Sequence, residues 1–225
     1  MRVLENKALG EDLFLLRLDG ESTVVPGQFF MLRPNDRSRL LGRPLSVFSA
    51  IDGLSFLIKA VGEGTEGFRR LRPGDSIDVE GPYGNGFPPL EAPTLFIGGG
   101  TGIAPSFHLL ESDAKKHLRV AIGLRAPNPA LEALYAPYGD RVRFYIGDDI
   151  FRDLTVGDET IYTCGPAGMM QRAVEEAKGD VYVSLESRMG CGFGACLACT
   201  CKVKEHRERV CVEGPVFEGR SVCWK

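Results

Sequence analysis

Three cysteines, Cys191, Cys196 and Cys199, stand in the pattern C-x4-C-x2-C, and Cys211 follows them. A tight loop offering three thiolates, with a later residue offering a fourth, is the spacing used to hold a plant-type [2Fe–2S] cluster. The residues between suit that task. Gly190, Gly192 and Gly194 let the backbone fold around a compact anionic object, while Ala195 and Ala198 keep side chains out of its way. Amides of such a loop can point at the sulfurs and tune the potential. Structural zinc is the alternative, but zinc knuckles come as paired C-x2-C units, and here one arm is x4 and the other a lone Cys211. Seven cysteines, an odd number, do not suit a disulfide framework in a chain of this length. Cys164, Cys201 and Cys223 are expected to stay outside the cluster.

A second chemistry is written at Leu95-Phe96-Ile97-Gly98-Gly99-Gly100-Thr101-Gly102-Ile103-Ala104-Pro105, which reads as strand, glycine turn and helix with proline in its first turn. Successive glycines let N–H groups approach a pyrophosphate, and a helix N-terminus adds a favourable dipole. Ile103 stands where the usual dinucleotide fingerprint has its third glycine, so the segment alone could be only a tight turn. A second turn, Thr163-Cys164-Gly165-Pro166-Ala167-Gly168, opens an amphipathic helix. Both turns lie beyond strand ends, where open α/β sheets bind ligands. Cys164 is either a small buried residue or a neighbour of the nicotinamide.

A nicotinamide exchanges a hydride, two electrons together, whereas an iron–sulfur cluster accepts one. A flavin can do both, so a chain holding both sites should carry one between them. Arg43-Pro44-Leu45-Ser46 begins one strand and Gly62-Glu63-Gly64-Thr65 ends another. An arginine and an exposed Gly-Thr turn are what a flavin diphosphate needs, although many barrels contain both. His108, His117 and His206 lack acid–base neighbours and read as structural.

The positioning elements fall into three textures. Residues 1–91 alternate short β-like runs (Leu13–Leu18, Phe29–Arg33, Leu45–Ser49, Leu54–Ala60, Ile77–Val79) with Gly/Pro turns. Leu54, Phe56, Ile58 and Ala60 share one face, the period of a half-buried strand. This predicts a closed antiparallel Greek-key β-barrel. Residues 92–187 place apolar runs at Leu95–Ile97, Val120–Leu124, Val142–Ile146, Ile161–Thr163 and Val181–Leu185. With a helical stripe of Met169, Met170, Ala173, Val174 and Ala177, they predict a doubly wound parallel α/β sheet. Residues 188–225 are too short for a core of their own and would be ordered by a bound cluster.

A net charge of -3 without any Lys/Arg run excludes a nucleic-acid grip. The charged start Met1–Lys7 does not read as a signal peptide, and no apolar run approaches the roughly 20 residues of a membrane helix. A cytoplasmic protein is expected.

Arg43-Pro44-x-Ser46, Gly64-Thr65, Gly81-Pro82-Tyr83-Gly84-Asn85-Gly86-Phe87, Gly98–Pro105, Cys164-Gly165-Pro166 and the cysteine loop with Val210–Phe217 occur in one order along the whole chain. In that order the sequence resembles the ferredoxin reductase superfamily, and within it the electron-transfer subunits of dihydroorotate dehydrogenase B. The resemblance implies FAD held by Arg43 (on phosphate), Pro44, Leu45, Ser46 (hydroxyl near the reactive edge), Leu57, Ile58, Lys59, Gly64 and Thr65. It implies NAD received by Gly98, Gly99, Gly100, Thr101, Gly102, Cys164, Gly165 and Pro166, and a cluster on Cys191, Cys196, Cys199 and Cys211. It further implies an FMN-containing catalytic subunit that oxidises dihydroorotate, two copies of each chain, and electrons passing through cluster and FAD to NAD.

Two departures stand out. Leu45 occupies a place often held by tyrosine, so it can cover a flavin face but not stack on it. The acidic residue for an NAD ribose is open between Asp148 and Asp149, with Arg125 also nearby. Two rival readings remain. One is the flavin and iron–sulfur subunit of an NADH-dependent ferredoxin:NADP reductase, which carries aspartate at the position of Cys191. The other is a regulatory module binding nucleotide and zinc.

Overall fold

The computed structural model describes residues 1–34 and 41–224. The N-terminal part builds six strands: β1 (Val3–Ala8), β2 (Leu13–Leu18), β3 (Phe29–Pro34), β4 (Arg43–Ser46), β5 (Leu54–Lys59) and β6 (Ile77–Tyr83). They form two antiparallel sheets, ordered β1-β2-β5 and β4-β3-β6. Two seams join them. Arg2 bridges Ser76, with Ile77 N–H donating to Met1 O at 2.9 Å, and Ser49 bridges Ser55, with Phe48 N–H donating to Ser55 O at 2.8 Å. The ring is closed as expected, and the order β6-β3-β4-β5 is a Greek key. Phe14, Leu16, Leu18, Phe30, Leu32, Phe56 and Ile58 fill its interior.

Three local expectations change. The run expected at Leu45–Ser49 is a strand only over Arg43–Ser46, because Val47–Ser49 leave β3 to make the seam with Ser55. β5 is buried on both faces: Leu57 packs outward with Phe48, Phe87, Phe96 and Ile103, in the core shared with the second half. The Gly62–Thr65 turn is the start of a short helix, α1 (Glu63–Arg69), whose only buried residue is Phe68. Asn6 holds the other end of that helix by donating to Phe68 O and Leu71 O, both at 2.9 Å.

The second half contains β7 (Thr94–Gly99), α2 (Ala104–Ser112), β8 (Leu118–Leu124), α3 (Pro129–Tyr135), β9 (Val142–Ile146), β10 (Thr160–Cys164), α4 (Ala167–Glu176) and β11 (Val181–Ser184). A hairpin of β12 (Thr200–Val203) and β13 (His206–Arg209) follows, then β14 (Val216–Glu218). The sheet order is β14-β11-β10-β7-β8-β9, with β7 to β11 parallel and β14 antiparallel. Residues 216–218, expected within the cluster segment, therefore add an edge strand to the six-stranded sheet. Strand order reverses between β7 and β10, which places a crevice beyond their carboxyl ends. Cys164 pairs with Gly98 there, so the two glycine turns meet at the switch point. Among the described residues no helix is long and apolar enough to cross a membrane.

His108 on α2 is 6% exposed, and its Nδ1 has no partner. Burial lowers its pKa from 6.5 to about 4. Between those values the unfolded chain binds the proton more readily, so stability is full above pH 6.5 and falls as pH drops toward 4. The loss approaches about 3 kcal/mol at the lower end. Urea midpoints at pH 7 and pH 5 should accordingly differ less for His108→Leu than for the parent chain; equal pH sensitivity would refute this source.

Candidate functional site

The cysteine loop binds its own thiolates first. Cys196 N–H donates to Cys191 Sγ at 3.4 Å. Burial opposes ionisation of Cys191, but the N–H groups of Cys196, Phe193 and Ala195 and the Cys196 thiol outweigh it and bring the pKa down to about 6. Cys211 behaves in the opposite way: burial, then the facing Cys199 thiol, push it up to about 12. The four predicted cysteines thus come as two pairs, Cys191 with Cys196 and Cys199 with Cys211. Among the described residues no three His, Cys, Asp or Glu side chains converge to hold one metal ion. Two pairs of thiolates match a two-iron group, whereas one zinc ion needs its ligands on one centre.

The barrel supplies the shelf for this loop. Gly192 lies against Met31 and Tyr83, and Phe193 stands 6.4 Å from the Tyr83 ring. Asn85 binds the segment after Cys211 twice, its N–H reaching Gly214 O at 2.5 Å and its Nδ2 reaching Glu213 O at 2.8 Å. That contact gives the Gly81–Phe87 motif its structural task. Cys201 and Cys223 line the cleft beside the N-terminus of α4, and Cys201 also packs against the apolar cluster that contains Cys199 and Cys211.

The glycine turns touch each other. A Cβ on Gly102 would lie 2.6 Å from backbone atoms of Cys164 and Gly165, so no larger residue fits between the turns. Gly99, Gly100 and Thr101 face a cavity of about 930 Å³ whose far wall carries Arg125, Asp148 and Asp149. Asp149 is engaged: it accepts Phe151 N–H at 3.0 Å and pairs with Arg172 at 2.7 Å, the guanidinium lying 5.0 Å over the Phe151 ring. Cys164 is 2% exposed; burial, and then the nearby Glu186 carboxylate, raise its pKa, so it stays a neutral thiol.

A third cavity, of about 360 Å³, opens on the barrel and is lined by Pro44, Leu45, Ser46, Leu57, Ile58, Lys59 and Thr65. Arg43 sits beside it, its Nη1 donating to Leu41 O at 2.8 Å, and its guanidinium occupies the space a Gly64 side chain would need. The Thr65 hydroxyl accepts Val61 N–H at 2.9 Å and Gly62 N–H at 3.3 Å, so it shapes the turn. Lys59, whose ammonium pairs with Asp12 at 3.1 Å, lines all three cavities together with Thr101. Leu185 and Glu186 line the barrel cavity and the adjoining cleft of about 960 Å³ under Gly165.

Sequence reasoning missed Phe29, Leu185, Glu186, Met189 and Pro215 in the barrel cavity. Glu186 carried one legible signal, an acidic residue just past a buried strand at the ligand-binding end of the sheet. It is exposed at the cleft, and partial desolvation by the surrounding protein raises its pKa. Met189 lines the cavity and belongs to the same apolar cluster as Cys199 and Cys211.

Residues 186–223 match the family described as the iron-sulfur cluster binding domain of dihydroorotate dehydrogenase B. Over 98% of its length the chain is 35% identical to the dihydroorotate dehydrogenase B (NAD(+)) electron transfer subunit of Clostridium acetobutylicum, covering 95% of that relative. The Listeria monocytogenes subunit of the same name is 34% identical, over 99% of this chain and 97% of the relative. A solved NADH-dependent reduced ferredoxin-NADP oxidoreductase superposes with TM-score 0.83 at 25% identity, over 99% of this chain and 89% of that one. The flavohemoglobin of Malassezia yamatoensis shares the fold, with TM-score 0.63 at 16% identity over 80% of this chain and 58% of its own. With about a third of its residues identical to such relatives along almost its full length, the chain belongs to the family of dihydroorotate dehydrogenase B electron transfer subunits.

Proposed function

We propose that this chain passes electrons from a dihydroorotate-oxidising, FMN-containing catalytic subunit to NAD, through a [2Fe–2S] cluster and FAD, in pyrimidine biosynthesis. One observation carries the reading: the barrel cavity and the clefts at the two glycine turns share Lys59, Thr101, Leu185 and Glu186 as lining, and Met189 on the barrel cavity belongs to the apolar cluster that includes Cys199 and Cys211. Bound FAD supplies the exchange between hydride chemistry and single-electron transfer.

The chain's residues divide the work. Arg43, with the Gly64-Thr65 turn, neutralises and orients the flavin diphosphate. Pro44, Leu45, Leu57 and Ile58 exclude water from the flavin, Ser46 places a hydroxyl in the same cavity, and Lys59 adds a charge at its mouth. Gly98, Gly99, Gly100, Thr101 and Gly102 approach the NAD pyrophosphate, and Cys164, Gly165 and Pro166 wall the nicotinamide end. Cys191, Cys196, Cys199 and Cys211 hold the cluster. The corresponding units are residues 1–91 for FAD, 92–187 for NAD and 188–225 for the cluster.

Phe193 and Leu197, 57% and 60% exposed, rim the cysteine loop with Cys196, an apolar edge suited to cover by the catalytic subunit. Two copies of each chain in the cytoplasm complete the proposal. Purification of the native complex tests it: FMN, FAD, iron and sulfide are expected, with NAD reduced at the expense of dihydroorotate. A partner without FMN, and no turnover with dihydroorotate, would overturn the pathway. Turnover with reduced ferredoxin instead would favour the second reading, which the 0.83 superposition supports and Cys191 argues against.

A further inference from the structure

Arg209 ends β13 two positions before Cys211. Its guanidinium forks onto Glu213: Nε lies 3.2 Å from Oε1 and 3.1 Å from Oε2, and Nη2 also bonds Oε1. Nη1 reaches across to Gly194 O at 3.4 Å, inside the loop that carries Cys191 and Cys196. The main chain closes the same unit. Arg209 N–H donates to Glu213 Oε2 at 2.7 Å, and Arg209 O accepts the N–H groups of Val212, Glu213 and Gly214 at 3.0, 2.9 and 3.3 Å. Gly194, at φ +92°, leaves room for this approach; a Cβ there would lie 2.7 Å from Val212 and 3.1 Å from Arg209 Nη1.

We propose that Arg209 and Glu213 form a charged clasp that fixes Cys211 against the three-cysteine loop and sets the reduction potential of the cluster. The inference rests on Cys191, Cys196, Cys199 and Cys211 being the ligands. Arg209 is a positioning residue in it, touching the loop through Gly194 and the fourth cysteine's turn through Glu213. Reduction adds an electron to an already anionic group, so a nearby positive charge favours it and a negative one opposes it. Paired, the two side chains largely cancel at a distance; removal of either exposes the field of the other. With side chains 36% and 31% exposed, that field is screened by salt. Lysine at 209 would keep the charge but not fork onto a carboxylate while reaching a carbonyl across the turn.

The test is a redox titration of the anaerobic native complex at low ionic strength, followed by the paramagnetic signal of the reduced cluster, beside iron release to a chelator. Arg209→Gln should lower the midpoint, Glu213→Gln should raise it, and the double variant should return near the parent value. Arg209→Lys should hold the midpoint yet release iron faster. Shifts should shrink as salt is added. If Arg209→Gln sheds its cluster in preparation, the sign for Glu213→Gln still decides. Midpoints and release rates indistinguishable from the parent in every variant would overturn the clasp. Absence of sulfide and of any reduced signal in the parent complex would instead remove the ligand assignment beneath it.

Discussion

Cys196→Ser is expected to abolish dihydroorotate-to-NAD turnover in the native complex while oxidation of NADH by an artificial dye falls far less. Cys196 is exposed on the cysteine loop and makes no part of the apolar core. It holds Cys191 Sγ through its backbone N–H, which serine preserves, and through its own thiol, which serine replaces by a hydroxyl. Serine oxygen is a harder, more basic ligand than thiolate sulfur, so one half of the two-iron site loses its proper donor. Losing an outer partner of a metal site costs about 10–100-fold; losing a ligand of the relay should cost at least the upper figure in the coupled rate. The dye reaction draws electrons from the flavin, and the cavity proposed for it is walled by residues such as Pro44, Leu57 and Met189 and does not include Cys196. Steady-state rates of both reactions on one preparation provide the measurement. Equal loss of the two would make the cluster a structural staple and remove the relay from the proposed path.

What the sequence made legible follows from how each signal is encoded. The cysteine spacing is local and chemical, so a loop of three thiolates with a later fourth was readable without a fold, whereas their grouping as two pairs came only with the structure. The inner strands β7, β8, β10 and β11 are largely buried and appear as apolar runs; the edge strand Val142–Ile146, with no fully buried residue, is still recovered residue for residue. Five of the six barrel strands were visible as short apolar runs; β1, with only Val3 buried, was not, nor were the seams, each a single bridge, Arg2 to Ser76 and Ser49 to Ser55. α1 was invisible since seven residues with one buried phenylalanine leave no helical period. α3 did carry a start signal, Asn128-Pro129, with the Asn128 side chain accepting Leu131 N–H at 3.0 Å, but its stripe is too short to have been read. Glu186, Met189 and Pro215 could not be assigned from spacing, because their meaning comes from three segments converging on one cavity.

The nucleotide assignment stands or falls on the contact between the two glycine turns, and Gly102→Ala addresses it directly. The added methyl would meet Cys164 C and O and Gly165 Cα, all at 2.6 Å. These are backbone atoms at the end of β10, which is hydrogen-bonded to β7 and β11 on its two sides and cannot yield as a flexible side chain would. Overpacking of this kind costs about 1–3 kcal/mol. Part of it should appear as a lower melting temperature and the rest as separation of the turns, because the helix ends can tilt where the strands cannot. If the whole cost fell on binding, the KM for NADH would rise roughly 5- to 150-fold. FAD content and the reduced cluster signal should remain, since neither the barrel cavity nor the cysteine loop includes Gly102. Gly168→Ala is the matched control: it borders the same cleft, its Cβ would meet nothing within 4 Å, and it lies in the first turn of α4, where alanine is tolerated. A parental KM in Gly102→Ala, or an equal rise in both variants, would show that the apposed turns do not form the pyrophosphate seat.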